Sequence, residues 1–338
     1  MSTLSTLLSE RAQTDGARVA LSFKERGAWR QLDWSRVELA TSSLRRALGD
    51  AGFGAGAVLF VSKRASVHTV LAVLAALSLG GTVLEVGELL RATTSTEPRW
   101  AFAHNSAEFL SLLEAGAAAV LSGILLDDRR GASPARSTVP VLRCSALVST
   151  ESSTREPVFA TERCVLEISL ARDSEAKQLL TSWLTQGFEL GASEESESIE
   201  RDAGELGVSL RIASSRSWDA WADALRARLA APGSRKRRFV EWALAVNAQP
   251  LARSRAAHWV AALLVVVPLR RALRLRQWRR AASLDAGPSP ETALLLAGLG
   301  VRLEPCEGII ARAFDERLEV TATTTPSSPS VNEFAQSA

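Results

Sequence analysis

Apolar residues in the first 125 positions follow two alternating spacings. Residues 19–23 and 29–34 are apolar-rich runs flanking the turn-like stretch 24–28, a pattern that predicts a β-hairpin. Val37, Ala40, Leu44 and Leu48 then recur at helical spacing. Ser35 and Glu38 supply a capping-box pattern before them, and Gly52 can end the helix. The short apolar run 57–62 predicts a buried strand, Val67, Val70, Leu71, Leu74 and Leu77 the next helix, and residues 82–86 another strand. Asn105 and Glu108 repeat the capping pattern ahead of Phe109, Leu112 and Leu113, and residues 118–122 predict a further strand. Strands alternating with helices imply an α/β fold, with parallel sheets covered by helices. Val58, Phe60, Leu71, Leu74 and Leu84 are the expected core of this unit.

The pattern changes further along. Residues 127–157 are rich in Ser, Thr, Arg and Pro, as in a linker. The acids Glu194, Glu195, Glu197, Glu200, Asp202 and Glu205 then cluster without the spacing of a calcium loop, which predicts a solvated face or loop. Residues 226–280 reverse the sign, with about 14 arginines and lysines against the single acid Glu241. Within that half, Trp218, Ala222, Leu225 and Leu229 share one helical face, and Phe239, Trp242, Ala243 and Val246 another. The end is a run of Thr, Ser and Pro. These shifts divide the chain into a first α/β lobe at residues 1–145, a second at 146–318, and a disordered tail at 319–338.

Composition narrows the function. With 338 residues, 46% of them hydrophobic, the chain can bury the core of two lobes. A formal charge of +3 gives no field that demands nucleic acid, and no nucleic-acid motif is present. Lysine occurs only at positions 24, 63, 177 and 236, which matters because phosphate sites often need one. Cys144, Cys164 and Cys306 are odd in number and far apart, which points to a reducing cytoplasm and not to a disulfide framework. His68, His104 and His258 are isolated from them and from one another, so no metal is expected and all six read as packing or surface residues. Residues 1–11 lack the pattern of a signal peptide. Gly80 and Gly81 interrupt the apolar stretch 67–84, and the stretch 256–269 falls short of the roughly 20 residues that span a bilayer.

Three blocks stand out, in order along the chain. The first joins Trp29-Arg-Gln-Leu-Asp-Trp34, the helix through Leu44, Ala51-Gly-Phe-Gly-Ala-Gly56 and the alanine-rich run 70–80 that ends in glycine. The second comprises residues 214–218, 234–239 and 241–246, and the third residues 286–291 and 299–301. Together they resemble the N-terminal domain of long-chain acyl-CoA synthetases, AMP-forming members of the adenylate-forming ligase superfamily: the second block is similar to the helices "VPRVWEK" and "KRRLFRWAL" of long-chain members, and the third to "GGAPLSPE" followed by "LGIPVLEGYG". The resemblance implies a ligase that uses ATP, magnesium and CoA, and it also shows where this chain departs from one. The family's glycine-rich phosphate loop has as its counterpart residues 148–158, containing Ser149, Thr150, Glu151, Ser152, Ser153 and Thr154. There Glu151 and Thr154 replace glycines, and no lysine follows Pro157. The counterpart of "EGYGLTET" holds Glu307 and Gly308, but Ile310 stands for the threonine and Ala311 for the magnesium-binding glutamate. Arg172 replaces the histidine of "FLPLAH". On the family's pattern the chain also stops before the ribose-binding aspartate and the C-terminal lid with its catalytic lysine.

The reading that follows is a truncated, degenerate synthetase-like pseudoenzyme with no catalytic residue and no cofactor, retaining an acyl-binding groove or a protein-binding surface. A working ligase with unorthodox phosphate contacts is the enzyme alternative. The third class is a peripheral membrane protein, because the stretch from Ala256 to Arg280 joins an apolar run to Arg270, Arg271, Arg274, Arg276, Arg279 and Arg280. A buried helix followed by a solvated basic helix is the reading favoured for that stretch. Gly52, Gly54 and Gly56 end a helix and precede a strand, so they read as a turn and not as a dinucleotide fingerprint.

Overall fold

The computed structural model describes residues 3–64, 66–89, 97–114, 119–128, 139–147, 158–160, 162–165, 170–193, 198–229, 231–249, 255–273 and 275–306. Helix α1 (Leu4–Asp15) leads into the hairpin β1 (Val19–Glu25) and β2 (Ala28–Asp33), then α2 (Trp34–Asp50), β3 (Val58–Val61), α3 (Val67–Ser78) and β4 (Thr82–Glu85). Next come β5 (Arg99–Ala103), α4 (Ser106–Glu114), β6 (Gly123–Leu126), β7 (Val141–Arg143) and the short α5 (Cys144–Leu147). The second half runs β8 (Arg163–Val165), α6 (Asp173–Gln186), β9 (Glu189–Ala192), α7 (Ile199–Leu206), β10 (Leu210–Ala213), α8 (Ser215–Arg228) and α9 (Arg235–Ala248). It closes with α10 (Arg255–Ala261), a π-helical turn (Ala262–Val266), α11 (Val267–Ala272), β11 (Arg280–Ser283), α12 (Pro290–Gly298) and β12 (Arg302–Pro305).

Local chemistry sets many of these boundaries. Arg26 and Gly27, at φ 52° and 77°, make the tight turn between β1 and β2, and two successive positive φ angles give a two-residue turn that matches the right-handed twist of the strands. Helix α2 starts earlier than the Ser35/Glu38 pattern predicts, because the Asp33 carboxylate accepts from the Arg36 backbone N–H at 2.9 Å. The Asn105/Glu108 pattern holds: Asn105 Oδ1 accepts from Glu108 N, and Glu108 Oε2 accepts from His104 N, both at 2.9 Å. Strand β6 lies after residues 118–122, not within them. A Cβ at Gly123 would come within 2.3 Å of the Trp100 indole, so only glycine lets β6 pair with β5 at this point.

Two sheets result. One has the order β4-β3-β5-β6-β7 and is parallel throughout; the other has the order β12-β11-β10-β8-β9-β1-β2 and is parallel except for the hairpin. The pairing of β1 with β9 inserts the first hairpin into the sheet of the second half, so that sheet crosses the 145/146 division drawn from composition. Helix α3 is buried at every residue from Val67 to Leu77, and one apolar cluster joins it to α2, α6 and strands of both sheets. Phe60, Leu71 and Leu74 are buried as expected, whereas Val58 and Leu84 are half-buried at the edge of a smaller cluster.

The second half departs from expectation in three places. Asp202 of the acidic run is fully buried, because Lys24 of β1 reaches it across the sheet edge; Glu194, Glu195 and Glu197 lie outside the described residues, as does the 319–338 tail. Phe239 and Trp242 are exposed, and only Ala243 of the four residues on their predicted face is buried. The basic stretch 270–280 is not one helix: α11 ends at Ala272, Leu275 and Trp278 turn into the core, and Arg280 begins β11. Among the described residues no helix is long and apolar enough to cross a membrane.

Replacing Leu71 or Leu74 by Ala should lower the stability to urea by about 2–5 kcal/mol, since both are fully buried in the shared core. A loss below about 1 kcal/mol at both positions would contradict this placement of α3.

Candidate functional site

In a parallel sheet, ligands bind beyond the carboxyl ends of the strands, where the strand order reverses. In the five-stranded sheet that point lies between β3 and β5: the chain runs from β3 to β4 on one side, and β5, β6 and β7 extend the other. Arg64 and Ser66 follow β3, His68 lies in the first turn of α3, His104 directly follows β5, and Asp127 directly follows β6. These side chains line a cavity of about 50 Å³, walled on the other side by Phe23, Lys24 and Glu25 of β1 and by Ala192 and Ser193 at the end of β9. The cavity therefore sits where the two sheets meet.

The two histidines are only 1% and 4% exposed. His68 Nδ1 is 2.8 Å from Asp127 Oδ2, and a carboxylate there holds the proton on Nδ1 and leaves Nε2 as an acceptor. His104 packs edge-on against Phe102 at 4.9 Å and hydrogen-bonds to the Arg64 backbone. Nε2 of each ring is buried without a hydrogen-bond partner in the protein. Burial, aided by the Arg64 charge, holds the His104 pKa below its usual 6.5, although Glu108, Asp127 and the Arg64 backbone pull the other way. Two such acceptor nitrogens can position a hydrogen-bond donor in a space the size of a few water molecules. Among the described residues no group of three or more His, Cys, Asp and Glu side chains is arranged to hold a metal ion.

Beside the cavity, Lys24 Nζ reaches Asp202 at 2.8 Å and Glu205 at 2.6 Å. These hydrogen bonds, to Asp202 first, raise the lysine pKa against the opposing effect of burial. Burial alone would raise the Asp202 pKa, but the bonds from Lys24 and Ser198 outweigh it and hold the carboxyl low. This pair ties the hairpin to α7 and keeps one wall of the cavity in place.

A second, larger cleft of about 370 Å³ lies between α7, α8 and the end of α11. Its lining is mixed: Trp221, Ala224, Leu225, Leu273 and Leu275 supply apolar walls, and Glu200, Arg201 and Arg228 supply polar ones.

The residues singled out from the sequence do not assemble here. Ser149, Thr150, Glu151, Ser152, Ser153 and Thr154, and Glu307, Gly308, Ile310 and Ala311, all lie outside the described residues. Arg172 precedes α6 with its side chain mostly in solvent, where Nη1 pairs with Glu175 at 2.8 Å. His68, His104 and Asp127 were missed as a group because no sequence spacing joins them. Their shared signal is positional: two of them immediately follow strands of one sheet, and the third opens the helix after another.

His104 should make stability pH-dependent. Its folded pKa lies below the unfolded 6.5, so the stabilisation is fully present above about pH 6.5 and is lost as pH falls through the folded value. Urea melts should show a weaker pH dependence below about 6.5 for His104→Gln than for the wild type. Parallel curves would contradict a buried neutral His104.

No protein-family model matches the sequence, and no curated protein matches it. Solved structures do match its fold. The A domain of carboxylic acid reductase from Segniliparus rugosus, solved with AMP and a co-purified carboxylic acid, superposes with a TM-score of 0.60 at 14% identity, covering 89% of this chain and 58% of that one. Acetoacetyl-CoA synthetase from Streptomyces lividans gives a TM-score of 0.55 at 13% identity, covering 90% of this chain and 50% of that one. The chain thus spans between half and three-fifths of the length of these two proteins. Its mixed α/β architecture, with parallel sheets covered by helices, is similar in fold to these two proteins.

Proposed function

We propose that this protein keeps the scaffold of an adenylate-forming ligase and does not form acyl adenylates. The observation that carries the proposal is the segment 148–158, the counterpart in sequence of the glycine-rich loop with which such a ligase wraps the triphosphate. Backbone N–H groups converge on phosphate only where side chains are absent, and Glu151 and Thr154 occupy the positions of glycines. A carboxylate about 5 Å from a phosphate charge repels it by roughly 3 kcal/mol at an effective dielectric near 20, and a triphosphate multiplies the effect. Ala311 offers magnesium no oxygen where the family has a glutamate, and Arg172 is paired with Glu175 in solvent. This donor set does not fit ATP–magnesium, so the protein takes no nucleotide cofactor. Its three cysteines are buried, and none is in a disulfide, as suits a reducing cytoplasm.

Retained acyl binding is supported by the cleft of about 370 Å³. Its size lies in the range of small-ligand sites; Trp221, Leu225, Leu273 and Leu275 suit an apolar tail and Arg201 and Arg228 a carboxylate, while Glu200 pairs with Arg211.

Purified protein should release no pyrophosphate from ATP in a fatty-acid-dependent manner above a heat-killed control. Turnover that Glu151→Arg or Arg172→Ala abolishes would defeat the proposal and favour an active ligase. For the cleft, a fluorescent fatty acid should bind about tenfold more weakly to Leu273→Glu, a difference of about 1.4 kcal/mol. Equal affinities would place the acyl chain elsewhere or nowhere.

A further inference from the structure

Seven of the twelve large hydrophobic side chains exposed among the described residues lie on two adjacent helical segments, α9 and the continuous stretch from α10 to α11. On the second of these, Trp259, Leu263 and Val267 lie at steps of four, as do Val260 and Leu264 beside them, and the stretch includes a π-helical turn. Trp259 is 73% exposed, and Leu263 and Leu264 are each 59% exposed. The opposite side of the same helix is in the protein: Ala261 and Val265 pack with Ala243 of α9, and Val266 joins the core around Trp218 and Trp278. On α9, Phe239 and Trp242 stack at 5.5 Å in solvent. The helix is thus held through one face and presents a second apolar face that none of the described residues covers.

Charge selects the occupant. Arg235, Lys236 and Arg238 are exposed at the start of α9, Arg255 at the start of α10 and Arg271 near the end of α11. Glu241, the single acid between residues 226 and 280, is paired with Arg237 at 2.6 Å. Exposed aliphatic and tryptophan side chains flanked by cations, with no free acid among them, match the boundary between acyl chains and anionic headgroups. A protein partner would need an equally one-sided acidic rim, whereas an anionic leaflet supplies that rim everywhere.

We propose that this face docks the protein on the surface of an anionic membrane, with the α10–α11 helix lying in the interface plane. No spanning segment is needed: Trp259, Leu263 and Leu264 enter the acyl boundary, and the flanking arginines stay with the headgroups. The inference is independent of whether the protein adenylates, because none of these residues belongs to the segments compared with the nucleotide loop.

The test is co-sedimentation of the intact chain with vesicles of phosphatidylcholine and phosphatidylserine, and with vesicles of phosphatidylcholine alone. Wild type should bind the anionic vesicles preferentially and lose affinity as salt rises, because screening shortens from about 10 Å at 0.1 M to about 3 Å at 1 M. Arg255→Glu and Arg271→Glu should each weaken binding by about fivefold or more. Leu263→Ser should abolish binding while keeping the circular dichroism and melting temperature of wild type, as should Trp259→Ser. Leu39→Ser, at an exposed apolar position elsewhere, should change nothing. Wild type that ignores anionic vesicles overturns the proposal. So does a Leu263→Ser variant that unfolds, since the face would then be core. A dimer in sedimentation equilibrium that Leu263→Ser abolishes, with no vesicle binding, assigns the face to a second copy of the chain instead.

Discussion

Helix α3 has to be buried on every side, and the fold is arranged to meet that requirement. Val67, Val70, Leu71, Val73, Leu74 and Leu77 fill one side of it, His68, Thr69, Ala72, Ala75 and Ala76 are buried on the other, and each large aliphatic side chain taken from water contributes about 1.5–3 kcal/mol. One sheet covers only one face of such a helix. The remaining faces are closed by α1, α2 and α6, and the apolar cluster around α3 includes residues from strands of both sheets. The insertion of the β1–β2 hairpin beside β9 follows from the same requirement, because it brings Leu21, Phe23 and Leu32 into that core.

Packing this helix between the sheets also fixes what lies at its N-terminus. Ser66 caps it, His68 sits in its first turn, and the carboxyl ends of β3, β5 and β6 converge on the same place. A histidine in this position is buried whether or not its polarity is useful, and Asp127 supplies the partner that such burial demands. The Lys24–Asp202 pair does the equivalent work across the wall formed by β1. Removing either partner alone would leave a buried charge without compensation, which is more costly than never having buried the pair.

The first half of the fold was largely legible in the sequence, because its helices and strands have clean periods and its caps and glycine turns are local. The strand expected at 118–122 lies instead at Gly123–Leu126, where the fit of Gly123 against Trp100 is a long-range contact with no local signal. Long-range facts had no local signal: the hairpin's place in the far sheet, the burial of Asp202 by Lys24, and the meeting of His68, His104 and Asp127. The exposed apolar face of α10 and α11 was read as core because hydrophobic spacing tells how a helix is striped, not what covers each stripe. The same spacing at Phe239 and Trp242 misled in the same way.

A fold similar to the A domain of carboxylic acid reductase and to acetoacetyl-CoA synthetase, taken with the proposed loss of nucleotide chemistry, directs attention to three other surfaces: a polar cavity, an arginine-rimmed cleft and an apolar helix face. The central claim is that nucleotide recognition has gone while the scaffold remains. Titration calorimetry of the folded protein with ATP–magnesium, and then with a non-hydrolysable fatty acyl-AMP analogue, tests it most directly. The account predicts no saturable heat from ATP–magnesium and no gain in acyl affinity from the adenylate portion of the analogue. A one-to-one isotherm with ATP–magnesium, or an analogue that binds far more tightly than the free fatty acid, would contradict it.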